Sequence, residues 1–318
     1  MSTTVTPSRP GPAPGLPRAG RTAQRRRGQR SRSDLLPALL FVGPATIGFL
    51  VFYVWPALRG VYYSFTDFSV LSPPTWVGTE NYQDLIQDEL VWNAFGVTAQ
   101  YVLINIGAQT VLSLGLAVLM HRLTTSMAVR GALLLPFLVA NVVVALTWFW
   151  MLDYQIGIVN GGLDWLGMDR IAFFGDSQWA IPTIAMINVW RHMGYTALLI
   201  FAGLQTIPTH LYEAASLDGS GEVRSFFTIT LPLLRPVLAM VLVITVTGSF
   251  QIFDTVAVTT AGGPVNATRV VYYYIYELAF VRFDFGYASA ISVVLFLVLA
   301  SVAFAQIKLL RAGESDLS

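Results

Sequence analysis

Two charged side chains stand inside apolar stretches of the chain: Arg191, in the run from 179 to 206, and Asp254, in the run from 237 to 260. A charge in a bilayer core is costly unless it faces a cavity or a partner, so each marks a functional position. Gln251, Asp254 and Thr255 fall at i, i+3 and i+4, which gathers an amide, a carboxylate and a hydroxyl on one helical face. Asn188, Trp190 and Tyr195 surround Arg191 in sequence and supply a further amide and two aromatic rings. Directional donors and acceptors beside aromatic faces suit a hydroxyl-rich solute such as a sugar. At 1.5 Å per residue Arg191 lies about 24 Å from Ile207, and Asp254 about 27 Å from Pro236, which puts both in the outer part of a ~30 Å core. Two compatible readings stand open: the charges pair with each other, or they line a solute cavity. The chemistry is binding. No nucleophile sits beside a base, His121, His192 and His210 are scattered, and no spacing of carboxylates or histidines suits a metal.

The elements that position these residues are apolar and long. Of 318 residues 55% are hydrophobic and only 12% charged, and mean hydropathy is +0.61. An average soluble domain carries roughly 25% charged residues, so this is an all-α polytopic membrane protein. Six stretches reach the ~20 residues a span needs, at 35 to 56, 92 to 120, 128 to 152, 179 to 206, 237 to 260 and 285 to 307. Pro44, Pro136 and Pro182 lie in them and imply local kinks. Residues 1 to 33, rich in Pro, Gly, Ser and Arg, read as a disordered cytoplasmic tail rather than a signal peptide. Residues 34 to 310 form the membrane domain, and 311 to 318 a cytoplasmic C-terminal tail.

Charge asymmetry orients the spans. With the N-terminus inside, fourteen basic residues fall on the cytoplasmic side and four, Arg59, Arg170, Arg269 and Arg282, outside. Nucleic-acid binding by the arginine-rich tail is disfavoured by the adjoining membrane helix. Cysteines are absent, which excludes disulfides and thiol chemistry. The single lysine, Lys308, follows Ile307, so no Walker A sequence exists and the chain cannot hydrolyse ATP by that route. Trp148, Trp150, Trp165 and Trp179 read as interface anchors, and Asn105, Gln109 and Asn141 as interhelical hydrogen-bond groups. The external segment from 59 to 90 predicts a short helix bearing Asp84, Asp88 and Glu89, and 153 to 178 predicts turns.

Between the fourth and fifth stretches lies a polar island, 207 to 236, that reads as helix, turn, helix. Thr209 and Ser220 are candidate N-caps, Asp218-Gly219 a turn with positive φ, and Pro232 with Pro236 a stop. Ala214 and Ala215 admit a close neighbour, and Glu213 offers it a charge. On periodicity alone an ordinary amphipathic loop between membrane helices fits slightly better than a docking knob.

Glu213, Ala214, Ala215, Asp218, Gly219, Ile229, Leu231 and Pro232 resemble the EAA motif of ABC importer permeases, with Ser220 where alanine is usual. Phe253-Asp254, Thr260, Gly262-Gly263-Pro264, Thr268, Tyr276, Phe280 and residues 285 to 290 (FGYASA) resemble the sugar-uptake branch, which includes maltose, trehalose and glycerol-3-phosphate permeases. The resemblance covers most of residues 35 to 310. It implies a subunit of the bacterial inner membrane that works as a heterodimer with a second permease, two copies of a cytoplasmic ATPase and an external solute-binding protein. It implies that Glu213, Ala214, Ala215, Asp218, Gly219, Leu231 and Pro232 couple to the ATPase, that ATP and Mg²⁺ bind there and no cofactor binds this chain, and that a sugar is moved by alternating access. The alternatives are a permease for a glycerophosphodiester or polyol, and a stand-alone secondary transporter. The latter calls for internal repeats and relay charges that this sequence lacks.

Overall fold

The computed structural model describes residues 35 to 70, 72 to 123 and 126 to 311; the expected N-terminal tail and most of the C-terminal tail lie outside them. The residues up to Leu58 and those from Arg59 onward form two compact units. Helix α1 (Leu35–Phe49) continues through a wider turn at Leu50–Val54, where Phe49 stacks on Tyr53, into α2 (Trp55–Tyr63), whose residues from Arg59 belong to the second unit.

The second unit is built around α4 (Glu89–Leu123) and α8 (Ser177–Leu204), whose mutual contact is the most extensive of any helix pair. Buried Ala94 and Ala117 on α4, with Ala185 and Ala197 on α8, keep these helices close, as small residues do where no water drives association. Around them stand α5 (Met127–Leu138), α6 (Asn141–Met151), α12 (Arg235–Phe250), α13 (Asp254–Thr259), α14 (Val271–Tyr276) and α15 (Phe285–Arg311). Four apolar clusters lie among the described residues, one of them Val144, Leu152 and Ile187 between α6 and α8, and the other three run along the bundle. One gathers Val91, Val271, Tyr274 and Ile291, the next Tyr101, Ile181, Ile184 and Val256, the third Met120, Ile200, Phe201, Leu204 and Leu234.

Four helical runs among the described residues are long and apolar enough to cross a membrane: Leu40–Tyr63, Glu89–Leu123, Arg235–Thr259 and Phe285–Lys308. The stretch expected at 128 to 152 is not one straight span. It bends by 90° between α5 and α6, where Val139 and Ala140 adopt extended backbone. Helix α8 has the length to cross, 28 residues, but polar Asn188, Arg191 and His192 make it less apolar than the four. The run from 237 to 260 is interrupted too, at Gln251 to Phe253, before α13 resumes.

Outside the spans the all-α expectation meets one exception, an antiparallel hairpin of β1 (Thr66–Ser69) and β2 (Ser72–Trp76), held by Phe65 stacked on Trp76. The expected short helix follows as α3 (Glu80–Gln87), ending before Asp88. Asp88 accepts hydrogen bonds from the hydroxyls of Tyr274 (3.0 Å) and Tyr287 (2.9 Å), tying α3 and α4 to α14 and α15. Burial and that carboxylate push the Tyr274 hydroxyl up to about 12. The segment expected to be turns contains α7 (Ile158–Trp165), because buried Asn160 bonds the carbonyls of Asp153 and Ile171 and the amide of Ile171. The expected turn at Gly262-Gly263-Pro264 is present and closed by Thr268, which bonds Thr260 (2.7 Å) and the carbonyl of Gly263 (2.6 Å).

Candidate functional site

Helices α4, α5, α8 and α12 enclose a cavity of about 330 Å³. One wall is polar and runs up α4: Tyr101, Asn105 and Gln109 recur every four residues and so share one face. Asn105 Nδ2 donates to Ser249 Oγ on α12 (2.8 Å) and Gln109 Nε2 to Thr196 Oγ1 on α8 (2.8 Å), so both bond across helices as expected. Asn105 is nevertheless incompletely satisfied. Its Oδ1 is buried without a partner. The opposite wall is aromatic, with Phe137 of α5 stacked on Tyr195 of α8 at 4.5 Å and 11°. Among the described residues no Asp, Glu, Lys or Arg lines the space.

The sequence-predicted residues divide around this cavity. Asn188 and Tyr195 line it. Trp190 lies edge-on to Trp148 outside the lining, Gln251 is exposed at the break after α12, and buried Thr255 accepts from Asn188 Nδ2 (3.2 Å). Gln251, Asp254 and Thr255 do not share one helical face, because the helix ends at Phe250 and a new one begins at Asp254. Arg191 and Asp254 form no ion pair. Arg191 bonds the carbonyls of Phe137 and Val139 and the ring of His192, while Asp254 Oδ2 accepts from Asn141 Nδ2 at 3.1 Å. A guanidinium can only donate, so His192 Nε2 accepts from Arg191 and its Nδ1–H donates to the Asn188 carbonyl. The lining residues Tyr101, His192, Thr196, Thr245 and Ser249 were not among the sequence candidates. The polar residues at 101, 105, 109 and 113, four apart in an apolar run, were the signal for that face.

The second site is the elbow. Helix α9 (Thr209–Leu217) ends at Gly219, whose φ of +75° lets the Gly219 amide bond the Ser216 carbonyl and the Ser220 amide bond that of Ala215. Thr209 and Ser220 are not the caps: Pro208 and Gly221 occupy those positions. Ser220 Oγ instead pairs with Ser225 Oγ at 3.1 Å. Nor do Pro232 and Pro236 stop the chain. Helical turns continue through α10 (Glu222–Ser225), a wider turn at Phe226–Thr230 and α11 (Leu231–Leu233), and only Leu234 separates them from α12, because each proline sits in a first turn where no donor is needed. Glu213 and Ala214 are exposed, and Leu217, Val223 and Phe227 present apolar surface beside them. Tyr212 bonds Thr230 across the elbow (2.8 Å), and Glu222 bonds Arg122 at the end of α4 (2.6 Å).

Residues 109–313 match the family model described as "binding-protein-dependent transport system inner membrane component". The chain belongs to this family. The permease is 36% identical over 88% of its length to a sulfoquinovosyl glycerol transport system permease protein of Agrobacterium fabrum, covering 92% of that relative. It is 31% identical over 86% of its length to the trehalose/maltose transport system permease protein of Thermococcus litoralis, covering 92% of it. It superimposes with a TM-score of 0.76, at 25% identity over 87% of its own length and 93% of the other chain, on a bacterial alginate ABC transporter solved with an alginate pentasaccharide-bound periplasmic protein. In this permease the family match takes in the elbow and every lining residue of the cavity except Tyr101 and Asn105.

Proposed function

We propose that the permease carries a sugar or small oligosaccharide inward as one half of a heterodimeric channel, driven by a cytoplasmic ATPase dimer and loaded by an external solute-binding protein. The observation that carries the solute class is the cavity: amides and hydroxyls on one wall and a stacked Phe137–Tyr195 pair on the other. A sugar offers hydroxyl donors to the first and C–H surface to the second. Asn188 and Tyr195 are the predicted residues in contact with it. The names of the curated relatives point the same way.

Glu213, Ala214, Ala215, Asp218 and Gly219, with Leu231 and Pro232 behind them, form the surface that docks the ATPase, where ATP and Mg²⁺ bind and this chain holds no cofactor. In this reading the elbow and both termini face the cytoplasm, and all six apolar stretches cross the bilayer of the bacterial inner membrane. ATP then acts only by binding one arrangement of the spans better than the other. The test is uptake into proteoliposomes containing the assembled complex, using labelled mono- and disaccharides and glycerol phosphates, with and without internal ATP and the external binding protein. ATP-dependent accumulation of one sugar supports the reading, and ATP-independent uptake by this chain alone refutes it.

A further inference from the structure

Of the two charges inside the membrane region, Arg191 reaches a broken helix end from the middle of α8 and Asp254 opens a new helix, and no ion pair joins them. Arg191 reaches from α8 to the last turn of α5: its Nε and Nη2 donate to the Val139 carbonyl (3.4 and 3.2 Å) and Nη2 also to the Phe137 carbonyl (3.2 Å). These carbonyls belong to the end of a helix that turns by 90° at Val139 and Ala140, so the next helix cannot supply their usual partners. In a bilayer such orphaned carbonyls need protein donors, and a cation is favoured at a helix C-terminus. On the far side of the bend, Asn141 opens α6 and donates to Asp254, which itself opens α13 after the second break. A carboxylate there faces the N-terminal ends of two helices, where negative charge is favoured.

From this geometry we infer that Arg191 is a positioning residue that clamps the bend of the third span, with Asp254 and Asn141 joining that bend to the break in the fifth span. The clamp also sets the cavity wall. Phe137, whose carbonyl Arg191 holds, places its ring 5.5 Å from the guanidinium and 4.5 Å from Tyr195. Arg191 is thus committed to backbone, and it is absent from the cavity lining.

The absence of cysteines allows spin labels at Met127→Cys and Trp150→Cys, near the far ends of α5 and α6, in the full chain within its complex. Their separation reports the bend without solute or ATP, so this readout stands or falls apart from the proposed transport function, on which only the uptake readout rests. Arg191→Met shifts and broadens the label distance, and lowers saturating uptake by about ten-fold with KM within about two-fold. Arg191→Lys, keeping the charge but losing the forked donors, shifts it less and guards against a variant that fails to assemble. An unchanged label distance in Arg191→Met overturns the clamp. So does loss confined to anionic solutes, which makes Arg191 a substrate contact, or rescue of Arg191→Met by Asp254→Asn, which makes the two a charge pair.

Discussion

The elbow and the breaks at Val139–Ala140 and Gln251–Phe253 all interrupt helices, yet they satisfy the severed ends by different means. At the elbow the backbone closes on itself: two amides return to carbonyls three and five residues back, and Gly219 alone supplies the conformation. At the bend, donors come from a residue more than fifty positions along the chain, on another helix. Water explains the contrast. An exposed end can leave its remaining groups to solvent, whereas an end among apolar helices needs every group matched by protein. Changes at the bend therefore propagate, and changes at the elbow stay local.

That contrast is sharpest at Gly194. A Cβ there would lie 1.8 Å from the Leu133 carbonyl oxygen, so Gly194→Val forces α8 and α5 apart at a point with no solvent to absorb the shift. A loss of about 3 kcal/mol is expected, read as a lower Tm and poor recovery of assembled complex in detergent. At Gly219 a Cβ meets nothing within 4 Å, and the cost of Gly219→Val is backbone strain of about 1–2 kcal/mol. Insertion and Tm stay near those of the parent while uptake drops about ten-fold, and normal transport at normal expression would refute the elbow geometry. The smallest effect belongs to Arg122→Gln. Its partner is Glu222, the side chains are 49% and 79% exposed, and such pairs contribute about 0.2–1 kcal/mol. A double-mutant cycle with Glu222→Gln should give a coupling in that range that shrinks in high salt. A buried-type value would erase the distinction between the two regions.

The same difference governs what could be read from sequence. The elbow's turn was legible because Asp218-Gly219 and the flanking periodicity are local signals. The apolar stretches were legible because span length is set by the bilayer. The caps failed because Pro208 and Gly221 outcompete neighbouring hydroxyls for the cap geometry, so Thr209 becomes helical and Ser220 turns to Ser225. The bend escaped because Val139-Ala140 is as apolar as the helices it separates and is stabilised by a guanidinium distant in sequence. The break at Gln251 to Phe253 escaped for a like reason, and with it the supposed polar face of Gln251, Asp254 and Thr255. One wall of the cavity lay in the ladder of Tyr101, Asn105 and Gln109, whose four-residue spacing was the signal, although only interhelical hydrogen bonds were read from Asn105 and Gln109.

The close approach at Gly194 also has a mechanical reading. Helix α8 is a rod held hard against α5 at that glycine, with the elbow following only four residues after its end. From Gly194 the rod extends about 15 Å toward the elbow and about 26 Å the other way. That is a lever with its fulcrum nearer the driven end. Under the proposed coupling, a small stroke at the elbow would become a swing about 1.7 times larger at the far tip of α8.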